Sequence, residues 1–88
     1  MSITVIISFP TADFDTWKAV FDDDASNREN AGLSATAYKE LDDNNSVCVI
    51  ATAPSREKFL EFFSNPDLQE RIKKVTVGPP DIKFLEKI

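Results

Sequence analysis

Eighty-eight residues are enough for one domain and too few for two, and 42% hydrophobic with 28% charged residues is an ordinary globular balance. The net charge of −5, from 15 acidic against 10 basic residues, excludes a general nucleic-acid binder and disfavours docking on an anionic membrane. A single cysteine, Cys48, excludes an internal disulfide, and the absence of histidine removes the commonest general base and the usual haem and zinc ligand.

The first element is Ile3 to Phe9, a short β-branched and aromatic run closed by Pro10, which predicts a strand. Ile3, Val5, Ile7 and Phe9 point one way, and Ile6 lies on the other side with Thr4 and Ser8. Met1 to Phe9 is apolar but far too short to span a bilayer. It also lacks the flanks of a signal peptide, so the expected location is the cytoplasm.

Thr11 or Asp13 is placed to cap a helix running to about Ala31, with Gly32 as a left-handed stop. Phe14, Trp17, Phe21, Ala25 and Arg28 share one stripe of that helix. The Asp22-Asp23-Asp24 run is read as solvated surface mostly outside the stripe. Neither it nor Asp42-Asp43 has the spacing of a calcium loop, so no metal is expected.

Leu33 to Leu41 alternates, with Leu33, Ala35, Ala37 and Leu41 on one side and Ser34, Thr36, Tyr38 and Glu40 on the other. The Asp42-Asp43-Asn44-Asn45 tetrad predicts a turn, and Ser46 to Ala53 a second strand of an antiparallel hairpin. Ser55 caps a helix over Arg56 to Phe63 whose Phe59, Leu60, Phe62 and Phe63 are core candidates. Asn65-Pro66 restarts the helix, with Leu68, Ile72 and Val75 inward and Asp67/Arg71 and Glu70/Lys74 as exposed pairs. Gly78-Pro79-Pro80 ends it, and Asp81 to Ile88 reads as the last strand.

The order β-α-β-β-α-β predicts an α+β, ferredoxin-like domain over residues 1–88, a four-stranded antiparallel sheet with two helices on one face. The first and third strands are apolar on both sides, so the helix-free face needs a cover. A second copy of the sheet is the economical one, which predicts a homodimer.

The helix beginning Asp13-Phe14-Asp15-Thr16-Trp17-Lys18, with Phe21 in its next turn, resembles the dimeric α+β-barrel superfamily. So do Asn65-Pro66-Asp67-Leu68 and Gly78-Pro79-Pro80-Asp81-Ile82-Lys83-Phe84-Leu85. That superfamily includes antibiotic-biosynthesis monooxygenases, muconolactone isomerases and small stress-associated proteins, and the chain looks most like an uncharacterised bacterial family within it. The resemblance implies two sheets packed into a barrel across the dimer and a ligand pocket between each sheet and its own helices. It also implies a pocket of asparagine, tryptophan and tyrosine in cofactor-free members. Trp17, Tyr38, Asn27 and Asn30 are the right residue types, with no catalytic role assigned to any. Haem-using members rely on an axial histidine that this chain lacks, so no cofactor is expected.

Three residues are candidate ligand contacts. Arg28 lies on the Trp17/Phe21 stripe, where a guanidinium could clamp a carboxylate or phosphate; the alternative is a pair with Asp24. Trp17 either presents its indole N–H to a ligand or anchors the core. Tyr38 either faces the pocket or packs in the dimer seam. Cys48 reads as a small hydrophobe with no base to activate it. Two functions stay open: a small-molecule site with oxygenase- or isomerase-like chemistry on an apolar or aromatic compound, and a non-enzymatic regulatory or stress-related dimer with a filled core.

Overall fold

A computed structural model describes residues 2–43 and 45–88. In chain order the elements are β1 (Ile3–Pro10), α1 (Phe14–Asp23), α2 (Ala25–Asn30), β2 (Ser34–Lys39), β3 (Ser46–Ala53), α3 (Arg56–Phe63), α4 (Pro66–Val75) and β4 (Asp81–Leu85). The strands form one sheet in the order β2-β3-β1-β4, with every neighbouring pair antiparallel. This is the ferredoxin-like arrangement the element order predicts.

The period-two pattern decides what each face carries. Val5, Ile7 and Phe9 of β1 and Val47, Val49, Ala51 and Ala53 of β3 are buried on the helix side. Trp17, Phe59, Leu68, Ile72 and Val75 close over them from the helices. On the opposite face Ile6 pairs with Ile50, and Ser8 with Cys48. Tyr38 flanks Cys48 from β2, and Leu85 joins the same face from β4 opposite Thr4. That face is therefore a narrow apolar centre with threonine and serine around it, less uniformly apolar than the sequence pattern suggests.

The helix expected over residues 13–31 is two helices, because the chain breaks at Asp24 (φ −93°, ψ 5°). Asp13 is the N-cap: its carboxylate accepts the Asp15 N–H and the Thr16 hydroxyl. Thr11 is instead buried, its N–H and hydroxyl both donating to the Asn45 carbonyl. Ser55 and Asn65 cap α3 and α4 as expected, and Gly32 takes a left-handed φ of 78°.

Three placements differ from expectation. Leu41 is 98% exposed, because the hairpin closes through Glu40 N–H to the Ser46 carbonyl and leaves Leu41 on the connecting turn. Asn44 of that turn lies outside the described residues. Leu60 is exposed rather than core, since α3 turns Phe59 and Phe63 inward, and the last strand stops at Leu85. No helix among the described residues is long and apolar enough to cross a membrane.

Candidate functional site

The space between the helices and the sheet holds a small apolar cavity of about 70 Å³. Its floor is the helix-facing row of the central strands, including Ile7, Val49 and Ala51. Aromatic side chains build the rest. Trp17, 3% exposed, stacks on Phe21 with ring centroids 5.1 Å apart and touches Phe9 at 5.5 Å. Phe59 stacks on Phe63 at 5.3 Å and meets Phe84 edge-on at 5.7 Å. These offset and tilted pairs are the arrangements aromatic quadrupoles favour, so the wall is rigid where the rings interlock.

Two charged residues, Asp24 and Arg28, interrupt this lining. The break after α1 explains both. It leaves the Phe21 carbonyl without a full helical partner, and Arg28 Nη1 donates to it at 2.7 Å from seven residues downstream. The guanidinium also lies over the Phe21 ring, 3.9 Å from its centroid. The expected Arg28–Asp24 bridge does not form. Burial pulls the Arg28 pKa below its ordinary value, opposed by the charges of Asp24 and then Asp22. An arginine starts so high that it stays a cation at any physiological pH. The cavity wall thus carries a fixed positive group with part of its donor fork committed.

Asp24 takes a different partner. Its Oδ1 accepts Arg71 Nη2 and Asn27 Nδ2, each at 2.8 Å, and its side chain is 4% exposed. Arg71 also reaches Asp23 at 3.3 Å. Asp24 is therefore buried structure, contrary to the reading of the acidic run as solvated surface. Arg71 spans from α4 to the helix break instead of pairing with Asp67. One clue was available: Asp24 falls on the stripe of Trp17, Phe21 and Arg28 at three-and-four spacing, and a carboxylate there needs a cation.

Of the candidate residues, the fold brings Trp17 and Arg28 together at the cavity. Tyr38 is elsewhere. It alternates with Ala37 and projects, 52% exposed, from the helix-free face beside Cys48. It does not line the cavity, because its strand turns the small alanines towards the helices. Asn27 and Asn30 lie outside the cavity as well, on an open cleft between α2 and α4. Among the described residues no group of three or more cysteine or acidic side chains is gathered closely enough to hold a metal ion.

No protein-family model matches the chain, and no curated protein sequence matches it at a significant level. Solved structures do. A candidate antibiotic biosynthesis monooxygenase from Bordetella bronchiseptica superposes with a TM-score of 0.82 at 14% identity, covering 99% of this chain and 97% of that one. One from Caulobacter crescentus gives 0.82 at 15% identity over 99% and 90%. SnoaB, a cofactor-independent oxygenase from Streptomyces nogalater, gives 0.77 at 15% identity over 99% and 95%. At such identities the likeness is one of architecture: the chain has the ferredoxin-like fold of the antibiotic-biosynthesis-monooxygenase structures.

Proposed function

We propose that this protein binds a small apolar or aromatic compound between its sheet and helices, with the ring against Trp17 and an acidic group turned towards Arg28. The observation that carries this reading is a hydrophobic cavity with a single cation, Arg28, among the described residues of its wall. Such a pocket selects its ligand by shape and fixes orientation through one charge. The reaction class that suits it is oxygenase- or isomerase-like chemistry without a cofactor, and SnoaB, described as a cofactor-independent oxygenase, lends that class support through the shared fold. The proposed location is the cytoplasm.

Trp17 is the only tryptophan, so its fluorescence reports occupancy directly. Benzoate is expected to perturb it at concentrations about tenfold lower than benzyl alcohol. Arg28→Met is expected to abolish that preference while leaving the alcohol unaffected. No response to either compound overturns the reading.

A second reading has its own observation. About 70 Å³ is roughly half the ~150 Å³ of an engineered apolar cavity that admits benzene. A non-enzymatic regulatory or stress-related module would need no more space than this, whereas ring binding requires a wall residue to give way. We favour binding because Phe62, outside the interlocked ring pairs, is only partly buried and can supply that movement.

We also propose a homodimer through the helix-free face. Ile6, Ile50, Tyr38 and Leu85 occupy it, and Tyr38, Ile50 and Leu85 are exposed. An 88-residue domain gains stability from such a cover.

A further inference from the structure

Beside the cavity, α2 and α4 bound an open cleft of about 610 Å³. The two hollows share three wall residues, Asp24, Phe62 and Leu68. Their characters differ. The cavity is nearly all hydrocarbon, while Asn27, Asn30 and Asn65 line the cleft. We propose that cavity and cleft are two halves of one ligand site, and that the cleft takes a neutral, hydroxyl-rich substituent, a sugar or similar polyol, attached to the ring held in the cavity. This rests on the cavity reading above.

The hydrogen-bonding inventory selects that chemistry. A hydroxyl both donates and accepts, and so does a carboxamide. Asn65 spends its Oδ1 on the Asp67 and Leu68 N–H groups, which leaves its two amide donors. Asn27 gives one donor to Asp24 and keeps its oxygen as an acceptor. The Asn30 amide has no protein partner among the described residues and offers both functions. The charges exclude the alternative of an anion. Arg71, the one cation lining the cleft among the described residues, is committed to Asp23 and Asp24, and Asp67 adds a negative group. Phe62, partly buried and common to both hollows, is the partition whose displacement joins them.

The test compares phenol, phenyl β-glucoside and phenyl phosphate, read by Trp17 fluorescence. The glucoside is expected to bind about tenfold more tightly than phenol, and in an Arg28→Met background, where the cavity's own cation is gone, the phosphate no more tightly than phenol. Asn30→Phe, which fills the cleft at an exposed position without adding a second tryptophan, is expected to remove the glucoside's advantage and leave phenol unchanged. Asn30→Ala, which only deletes the amide, is expected to reduce the advantage. Equal affinity for phenol and glucoside in the unaltered protein overturns the two-part site while the cavity reading stands. A preference for the phosphate that survives Arg28→Met also overturns it. Silence from all three probes overturns the cavity reading and this one together.

Discussion

Arg71 of α4 donates to the buried carboxylate of Asp24 at 2.8 Å, across 47 residues of sequence, and so pins the break between α1 and α2 to the far helix. The Asp24 side chain is almost wholly buried and the Arg71 side chain only 34% exposed, so removing the cation strands a charge with little water to replace it. Arg71→Met is expected to cost about 1–3 kcal/mol in urea denaturation, reduced from a fully buried pair because Arg71 keeps some solvent. In an Asp24→Asn background the same change should cost less, giving a coupling of ~1 kcal/mol or more. Lys18→Met, at the exposed Lys18–Asp22 pair, sets the contrast at within about 0.5 kcal/mol. Equal losses for Arg71→Met and Lys18→Met would show that the pin is not structural.

The Asp13 cap makes stability depend on acid in a defined direction. The Thr16 hydroxyl, aided by the backbone N–H groups of Asp15 and Thr16, holds the Asp13 pKa below its ordinary value of 3.8. A carboxyl whose folded pKa is depressed contributes stability that is fully present above the unfolded value and lost as pH falls through the folded one. Asparagine caps a helix without titrating. Thermal unfolding of Asp13→Asn followed from about pH 5 downwards should therefore fall less steeply than that of the unaltered protein. Superimposable curves would remove Asp13 from the acid response.

Gly32 joins α2 to β2 at φ 78°, where a side chain is strained. A Cβ built there would meet the Pro54 side chain at 3.4 Å, an ordinary contact, so the cost lies in the backbone conformation. Gly32→Ala is expected to destabilise by about 1–2 kcal/mol, measured by urea denaturation. A neutral or stabilising result would mean that the turn relaxes to negative φ.

How much of this was legible in the sequence depends on range. Asp13, Ser55, Asn65-Pro66 and Gly32 each act within a turn or two of their own position, and local pattern found their roles. The alternation of β1 and β3 likewise assigned the helix-facing rows. The pairing of Asp24 with Arg71 was hidden because it joins two helices, and each partner had a plausible local substitute in Arg28 or Asp67. Trp17 and Arg28 came together because both follow the period of the same stripe, which the break at Asp24 barely disturbs. Tyr38 had two faces open to it. Its strand's side-chain order was clear, but which side met the helices depended on the sheet as a whole.

The helix-free face is where a second copy of the chain would sit. Ile6 and Ile50 are cross-strand partners in the two central strands, and Ile50 remains 40% exposed. If a second copy covers this face, Ile50→Lys places two ammonium groups in a desolvated seam, a cost that no local rearrangement relieves. The unaltered protein is expected to sediment at twice the 9.8 kDa chain mass, and Ile50→Lys at the chain mass. The helix-facing core does not contain Ile50, so the variant should keep its circular dichroism. Its thermal midpoint should fall, and the concentration dependence that an associating protein shows should vanish with it. A monomeric parent at micromolar concentration would leave Ile6 and Ile50 as ordinary surface residues, since scattered apolar side chains on a face need no partner.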